Sequence, residues 1–337
     1  MAGTASAEPD AKMRAWRVEQ ITADGSMQWL DLPMPAPGPG EYVVRVEAAG
    51  VNFLDTLMVR GQYQRKPALP FTPGVEVAGP IVAAGSGTSL APGQRVFATV
   101  ETGGYAQYAL VPAASAKELE DDIAGEIAIV LLGVNYPTSY YALHDRAGLR
   151  PGETVLVHAA AGGVGSAAVE IALAAGCRVI ATAGSAEKRE ACLARGAHAA
   201  LDPAAPNWVD EVRGLTNGEG ADVIYDPVGG DAALQSLRAL AWHGRYLVIG
   251  FASGTIPSLP ANRLLLKETS AIGVAWGTVA AREPALAARI GDALLALYRS
   301  GKLQPIVDGR FPLEEAPRAL DLLRRRATMG KLFLIQD

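Results

Sequence analysis

The chain has 337 residues, enough for about two domains of ordinary size, and its 50% hydrophobic and 19% charged content fits packed cores rather than disorder. A net charge of −5 offers no basic field that could hold a polyanion, so we expect no nucleic-acid partner. Two cysteines are too few for a disulfide framework or a four-cysteine zinc lobe, and the four histidines lack metal-ligand spacing.

The N-terminal segment is rich in small and polar residues, and we expect residues 1–12 to be disordered. It lacks the basic and apolar regions of a secretory signal. No apolar stretch along the chain reaches the roughly 18 residues that a membrane span needs. We therefore predict a cytoplasmic protein with no membrane partner.

Residues 13–112 carry short β-rich runs separated by glycine and proline turns. Three runs, at 13–18, 27–32 and 41–50, come first, and four shorter ones follow at 75–79, 81–85, 95–100 and 105–111. This pattern predicts a compact, glycine-rich, mostly antiparallel β domain.

The pattern changes near residue 118. Residues 118–133 and 135–149 read as helices, the second interrupted early by Pro137. From 154 to 250, strands alternate with helices, which is typical of a parallel, doubly wound sheet. The predicted class is therefore α/β.

The alternation stops after residue 273. A long helix at 283–301, a β segment near 309–313, a helix at 314–326 and a last strand at 331–335 follow. We expect this part of the chain to return to the first domain. The predicted domains are 1–133 for the β domain, 134–273 for the doubly wound domain and 274–337 for the completion of the first.

A glycine-rich turn joins the strand that ends at His158 to a helix. It has the form G-x-G-x-x-G, with Ala160 in the first position and Gly162 and Gly165 in the others. Such a turn lets a dinucleotide pyrophosphate approach the backbone at a helix N-terminus. We expect four residues to contact that cofactor: Ala161, Gly162, Gly163 and Val164.

The next strand indicates which dinucleotide binds. An NAD site places an acid at its end, but here the strand ends at Gly184 and Ser185. A hydroxyl and a nearby cation suit a 2′-phosphate, so we predict NADPH, read by Ser185 and Lys188, with Arg189 less firmly assigned. The alternative is that both cations are solvated helix charges. We expect Glu187 to be a first-turn acid without a cofactor role.

Seven segments together carry a family resemblance: 50–63, 69–79, 103–111, 158–165, 181–189, 226–230 and 326–334. In order and spacing they resemble the medium-chain dehydrogenase/reductase superfamily, and most closely its zinc-free, zeta-crystallin-like NADPH:quinone oxidoreductases. The resemblance implies a GroES-like β-barrel catalytic domain, a Rossmann domain with NADPH in the cleft between them, and a homodimer paired through the strand near 269–274.

The zinc alcohol dehydrogenases of this superfamily use a Cys in the segment matching 50–56 and a His in a Gly-His-Glu triplet. This chain has no Cys in that segment and has Gly74, Val75 and Glu76 at the triplet. One carboxylate does not make a zinc site, so we expect no metal and a structural hydrogen bond for Glu76.

The resemblance implies that Asn52 lies by the nicotinamide and the substrate, although an Asn after a strand can also cap a turn. Asp55 matches an acidic position, for which we favour a structural hydrogen bond. Some relatives have a Tyr where this chain has Leu57. Tyr63 is then a substitute proton donor, a gate at the substrate or a packing residue, and water is another source of the proton.

The resemblance also places Thr138 along the nicotinamide, and Arg326 at the cofactor diphosphate. The alternatives are a helix N-terminal hydroxyl and a solvated basic helix end. Three more cofactor-binding candidates end a late strand at the carboxyl edge of the predicted sheet, where doubly wound folds bind ligands: Gly250, Phe251 and Ser253.

Without a Lewis acid, we expect hydride transfer to an acceptor that is already electrophilic. A quinone is the first hypothesis, and an activated C=C bond, in an enoyl thioester, haloacrylate or enone, is the second. Basic residues near Tyr63 could bind an acyl thioester or be a solvated loop: Arg60, Arg65 and Lys66. A non-catalytic NADPH-binding protein is the hypothesis of a different class.

Overall fold

The computed structural model describes residues 11–336. Its strands are β1 Lys12–Arg17, β2 Gln28–Pro33, β3 Glu41–Arg45, β4 Ala48–Val51, β5 Glu76–Ala84, β6 Arg95–Thr99, β7 Tyr108–Pro112, β8 Ala116–Glu118, β9 Thr154–Val157, β10 Arg178–Thr182, β11 Ala199–Leu201, β12 Ala221–Asp226, β13 Leu240–Val248, β14 Ser270–Gly273, β15 Val307–Pro312 and β16 Lys331–Ile335.

Its helices are α1 Phe53–Met58, α2 Gly125–Leu132, α3 Asn135–Tyr140, α4 Gly163–Ala174, α5 Ala186–Ala194, α6 Trp208–Leu215, α7 Gly230–Ala239, α8 Ala261–Leu265, α9 Trp276–Arg282, α10 Pro284–Arg299 and α11 Ala316–Arg324. A π-helical turn, Tyr141–Arg146, continues α3. The chain divides into two compact units, one formed by the residues up to Gly133 with those from Val307 on, the other by Val134–Ile306.

The first unit is built on an antiparallel framework. Its main sheet has the order β15-β16-β4-β5-β3-β7, with β6 beside β5 and β8 beside β6, and β1 pairs with β2 separately. Alternating apolar side chains from these strands form the core together with the apolar face of α11, where Ala316 and Leu320 are buried.

Strand β16 brings the C-terminal part of the chain to the first strands. It pairs antiparallel with β4, with Leu332 opposite Val51 and Phe333 opposite Gly50. This register sets Lys331, the first residue of β16, beside Asn52, the residue after β4.

The second unit is a six-stranded parallel sheet of order β11-β10-β9-β12-β13-β14. Its helices follow the strands, and Leu156, Ile180 and Ile224 from three neighbouring strands lie in one buried cluster with Trp208 of α6. The predicted α/β class with a parallel doubly wound sheet is confirmed. Since the carboxyl ends of parallel strands share one edge, the loops that follow them converge there.

Several expectations about element and domain boundaries were wrong. Residues 274–306 belong to the second unit, because α10 packs against α3 and the chain crosses to the first unit only at Val307. Strand β1 begins at Lys12, inside the segment expected to be disordered, whose residues 1–10 lie outside the described part.

Local chemistry explains three further differences. Helix α2 begins only at Gly125, because β8 ends at Glu118 and a turn joins Glu120 to Ile123. Pro137 does not interrupt α3, since it lies in the first turn, where no helical partner is needed for its missing N–H. Strand β5 runs continuously through Pro80, which the sequence pattern placed between two separate runs.

Candidate functional site

The glycine-rich turn of the second unit lies at the carboxyl end of β9. Its tightest point is Ala159, which has a left-handed φ of 48° one residue before the predicted first position. Gly162 is the N-cap of α4. Ala161 lies in the turn, whereas Gly163 and Val164 begin the helix.

The glycines of this turn differ in how much space the surrounding atoms leave for a side chain. A Cβ on Gly165 would lie 2.2 Å from the Ala159 carbonyl oxygen, and one on Gly163 would lie 2.3 Å from the amide nitrogen of Asn135. A Cβ on Gly162 would lie 3.3 Å from the same Ala159 oxygen, a close contact that requires the backbone to shift by a few tenths of an ångström. Packing therefore restricts Gly163 and Gly165 most strongly and Gly162 less.

Strand β10 leads into the N-terminus of α5 through Gly184 and Ser185. Gly184 is exposed, and a Cβ there would have no heavy atom within 4 Å. Ser185 is the N-cap of α5, and its hydroxyl accepts a hydrogen bond from the Lys188 backbone N–H at 3.2 Å. The strand end thus presents an exposed hydroxyl beside a lysine.

Three more charged residues lie near this strand end: Arg189, Asp202 and Glu187. The Arg189 guanidinium donates to the Ala183 carbonyl at 3.0 Å and lies 3.3 Å from the Asp202 carboxylate. Arg189 is thus held against the ends of β10 and β11. Glu187 is exposed in the first turn of α5, where an acid is generally favourable.

The loop after β13 is bound to the turn after β12. The backbone N–H groups of Ala252 and Ser253 donate to Pro227 and Val228. Asp226, fully buried, holds that turn by accepting from the N–H groups of Val228 and Gly229. These contacts place the three predicted residues of this loop at the carboxyl edge of the sheet: Gly250, Phe251 and Ser253.

Gly250 lies at the start of that loop, and packing does not require a glycine there, as it does not at Gly184. Its nearest neighbour for a Cβ would be the Pro227 oxygen at 3.5 Å, an ordinary contact distance. Gly184 and Gly250 therefore follow two strands of one sheet with room for a side chain that each of them lacks.

His158 is buried beneath the glycine-rich turn. Its Nδ1 lies 3.0 Å from the Thr182 hydroxyl and its Nε2 lies 2.8 Å from that of Ser236, with the ring edge-on to Trp208. Burial lowers its pKa. Both nitrogens are thus occupied inside the fold, in agreement with a structural role.

The first unit contains a buried polar cluster that we call the Asn52 cluster: Asn52, Glu76 and Lys331. The Asn52 amide nitrogen donates to Glu76 Oε2 at 2.8 Å, and the Lys331 ammonium donates to both Asn52 Oδ1 and Glu76 Oε2 at 2.6 Å. The exposed fractions are 5% for Asn52, 2% for Lys331 and 0% for Glu76. The hydrogen bond expected for Glu76 is present.

Two glycines make room for the Glu76 carboxylate. A Cβ on Gly50 would lie 2.2 Å from Glu76 Oε2, and a Cβ on Gly133 would lie 2.0 Å from Glu76 Oε1. Neither glycine has a positive φ. The carboxylate, together with Ile129, therefore excludes a side chain at both positions.

Asp55 is buried next to this cluster, in the first turn of α1. Its Oδ2 accepts from the Asn52 backbone N–H at 2.8 Å and from the Tyr105 hydroxyl at 2.9 Å, while Oδ1 has no hydrogen-bond partner among residues 11–336. Burial raises the pKa of Asp55 to about 7. It also raises that of Tyr105. The structural hydrogen bond favoured for Asp55 is present.

Tyr63 is half-buried and packs on an apolar group that includes Met58 and Phe71. Burial raises the pKa of its phenol, an effect that the charge of Arg65 opposes and that of Asp55 reinforces. The phenol is therefore protonated at neutral pH and can donate a proton or a hydrogen bond.

The remaining two predicted residues lie in α3 and just after α11. Thr138 is buried in α3 and donates its hydroxyl to the Val134 carbonyl one turn earlier. Arg326 is exposed just after α11, with a left-handed φ of 57°, in the link that leads to β16.

Sequence reasoning did not single out Lys331 or Tyr105. A lysine at the start of the apolar strand 331–335 was the available signal, because a buried lysine needs a carboxylate partner. Tyr105 offered none beyond its aromatic character.

The first unit does not fit a zinc ion at the position that the alcohol dehydrogenases use. Val75 has no ligating atom, and the Lys331 ammonium lies 2.6 Å from the carboxylate that would remain. Across residues 11–336, no three His, Cys, Asp or Glu side chains lie close enough to hold a metal. In the same part of the chain, no helix is long and apolar enough to span a membrane.

Two family descriptions match the chain. Residues 38–121 match the alcohol dehydrogenase GroES-like domain, and residues 163–291 match the zinc-binding dehydrogenase family. A quinone oxidoreductase of Rattus norvegicus is 36% identical over 327 residues, which cover 96% of this chain and 98% of that protein.

Solved structures agree with the sequence relatives. The mycobacterial protein Rv1454c, solved in complex with NADPH, superposes with a TM-score of 0.89 at 33% identity, covering 96% of this chain and 100% of that one. The CurF ER cyclopropanase of curacin A biosynthesis superposes with a TM-score of 0.87 at 26% identity, covering 97% and 100%.

Proposed function

The chain belongs to the quinone oxidoreductase-like branch of the medium-chain dehydrogenase/reductase superfamily, and we propose that it reduces a quinone with hydride from NADPH. Its two family matches and its relatives are those of an oxidoreductase. The quinone is the substrate that its curated relative's name gives, and the cofactor is the one in the solved neighbour.

One observation carries the cofactor proposal. Gly184 and Gly250 follow β10 and β13 at the carboxyl edge of the sheet, and packing requires neither of them to be glycine. A ligand that lies against the backbone explains why two side chains are missing there. The free N–H groups at the start of α4 suit its pyrophosphate, which would lie along Ala161–Val164.

The end of β10 favours NADPH over NADH. Ser185 presents a hydroxyl and Lys188 a cation, and the strand end has no carboxylate of the kind that holds a ribose 2′-hydroxyl. We propose that these two residues bind the 2′-phosphate. Phe251, Ser253, Thr138 and Arg326 stay proposed contacts of the same cofactor.

The chemistry needs few groups from the protein. NADPH supplies a hydride when bound, and a quinone that accepts it gains negative charge on an oxygen. We propose that the Asn52 amide donates a hydrogen bond to that oxygen, and that Tyr63, which is protonated at neutral pH, supplies the proton. No step requires a metal.

Reduction of an activated C=C bond is the second candidate. The similarity to the CurF ER cyclopropanase favours it, as does a basic loop formed by Arg60, Arg65 and Lys66 that could hold an acyl thioester. Both reactions would use the same cofactor residues.

We also propose that the protein forms a homodimer through β14. This strand is the edge of the parallel sheet, and most of its residues are exposed. Pairing with a second copy would cover that edge. Sedimentation velocity of the purified chain tests this, and a monomer at micromolar concentration would contradict it.

The first experiment is NADPH oxidation by the purified protein with an ortho-quinone, a para-quinone, an acrylyl thioester and a simple enone. Turnover confined to the quinones supports the first proposal, and faster turnover of the thioester or enone supports the second. Tight NADPH binding with no oxidation would instead favour a non-catalytic binding protein.

A matched pair of variants tests the 2′-phosphate site. Lys188→Ala should weaken NADPH about tenfold and leave NADH unchanged, as expected for one lost charged hydrogen bond. Ser185→Asp keeps an N-cap for α5 but adds a negative charge, so it should shift the preference towards NADH. Fluorescence titration with both cofactors measures this. Equal effects on both cofactors would contradict the assignment.

A further inference from the structure

The hydrogen bonds around Asn52 determine which end of its amide is which. An ammonium can only donate, so the Asn52 atom 2.6 Å from Lys331 Nζ must be the oxygen. A carboxylate can only accept, so the Asn52 atom 2.8 Å from Glu76 Oε2 must be the nitrogen. A flipped amide would face both partners with the wrong atom.

The same bonds decide what Asn52 has left for a ligand. Its oxygen accepts from the charged Lys331 ammonium, while one of the two hydrogens on its nitrogen is donated to Glu76. The second hydrogen on the nitrogen is the donor that the amide can still offer to a ligand. Asn52 is also the member of the cluster with the largest exposed fraction, 5%.

The cluster is rigid as well as oriented. Glu76 begins β5 and Lys331 begins β16, the strands on either side of β4 in one sheet, so both partners of Asn52 are anchored in that sheet and buried. A rigid donor stabilises developing charge better than one that must first reorient.

We propose that Lys331 and Glu76 are positioning residues that fix the Asn52 amide in one orientation, so that Asn52 presents a hydrogen-bond donor towards a bound ligand. This inference rests on the proposed function, because it assigns Asn52 to an oxygen that gains negative charge.

Kinetics of two variants test the proposal. Lys331→Met removes one constraint, whereas Glu76→Met with Lys331→Met removes both hydrogen-bond partners and leaves no unpaired buried charge. We expect kcat to fall about tenfold in the single variant and about 100-fold in the double variant, with the KM for the acceptor changed less than about threefold. The exposed Lys302→Met is the matched control and should leave both constants unchanged.

A role in stability alone predicts a different result. In that case the variants unfold at lower temperature but keep the wild-type kcat per folded molecule. Circular dichroism at the assay temperature gives the folded fraction, and a wild-type kcat in the folded double variant would overturn the proposal.

Side-chain amide signals of Asn52 give a readout that needs no turnover. With selectively ¹⁵N-labelled asparagine, the wild-type protein should show two distinct hydrogens, one of which exchanges slowly with water because Glu76 accepts it. In the double variant both should exchange at the rate of an unconstrained amide. Unchanged signals there would overturn the proposal.

The proposed function and the positioning inference can be contradicted independently of each other. A wild-type protein that neither binds nor oxidises NADPH would contradict the proposed function, but the amide signals would still decide whether Lys331 and Glu76 fix the orientation of Asn52. If NADPH oxidation is observed and the double variant matches the wild type in both kcat and amide signals, only the positioning inference fails.

Discussion

In the Asn52 cluster the polar groups are paired with one another, whereas at the carboxyl edge of the parallel sheet backbone is left uncovered. In the cluster, three side chains satisfy one another, and the carboxylate occupies space that a side chain on Gly50 or Gly133 would need. At the edge, Gly184 and Gly250 leave backbone uncovered although packing leaves room for a side chain at both. A change in the cluster should therefore affect stability and chemistry together, whereas a change at the edge can separate them.

The largest effect on stability is expected in the cluster. Lys331→Met leaves the Glu76 carboxylate buried without its counter-charge, which should reduce the free energy of unfolding by about 3–5 kcal/mol. Adding Glu76→Gln removes that charge and should restore most of the loss. Urea titration of both variants checks this. A double variant no more stable than the single one would show that the pair is not what stabilises this region.

Two glycines of one turn should respond differently to the same substitution. Gly165→Ala places a methyl group against the Ala159 carbonyl and should cost about 3 kcal/mol, since the contact is with backbone. Gly162→Ala should cost less, about 1 kcal/mol, since its methyl group would lie 3.3 Å from that oxygen where the one on Gly165 would lie at 2.2 Å.

The ligand should reverse that order. Gly162→Ala is expected to weaken NADPH at least about tenfold, because its methyl group projects where the pyrophosphate approaches. Thermal unfolding and fluorescence titration of the same preparations give both numbers. Wild-type affinity in Gly162→Ala would remove the main support for the cofactor site.

Asp55 should give a smaller, pH-dependent effect. Its pKa is raised to about 7 in the folded protein from 3.8, so the folded state holds this proton more tightly than the unfolded state does. The contribution of Asp55 to the free energy of unfolding is therefore fully present below about pH 4 and is lost as the pH rises through about 7.

Asp55→Asn should remove that dependence. The new amide oxygen can still accept from Asn52 and Tyr105, while the uncharged group no longer ionises. Relative to the wild type, the variant should therefore gain about 1–4 kcal/mol between pH 4.5 and pH 8. Urea titrations at both pH values test this, and parallel pH profiles would show that Asp55 does not ionise in this range.

Local chemistry made much of the second unit predictable. The alternation of strands and helices predicted the parallel sheet, and the glycine spacing located the turn before α4. Ser185 could be placed at the start of a helix because a serine after a buried strand is a typical N-cap. Each of these features depends on residues within about one turn or one strand of each other.

What sequence reasoning missed depends on long-range contacts. Lys331 meets Asn52 only because β16 pairs with β4 across 279 positions of sequence, and no local pattern encodes that register. Helix α10 was assigned to the wrong unit for the same reason, because the spacing of its own apolar residues does not indicate that it packs against α3. Ala159 has a left-handed φ, a conformation that favours glycine, so the alanine in the sequence did not indicate it.

The pairing of β16 with β4 also has a consequence for the order in which the protein can be made. Glu76 emerges from the ribosome 255 residues before Lys331, a delay of roughly 10 to 50 s at ordinary rates of synthesis. During that time the strands of the first unit exist without the ammonium that balances their buried carboxylate. The second unit can complete its sheet in the interval, so the first part of the chain to be synthesised is the last to reach its final electrostatic state.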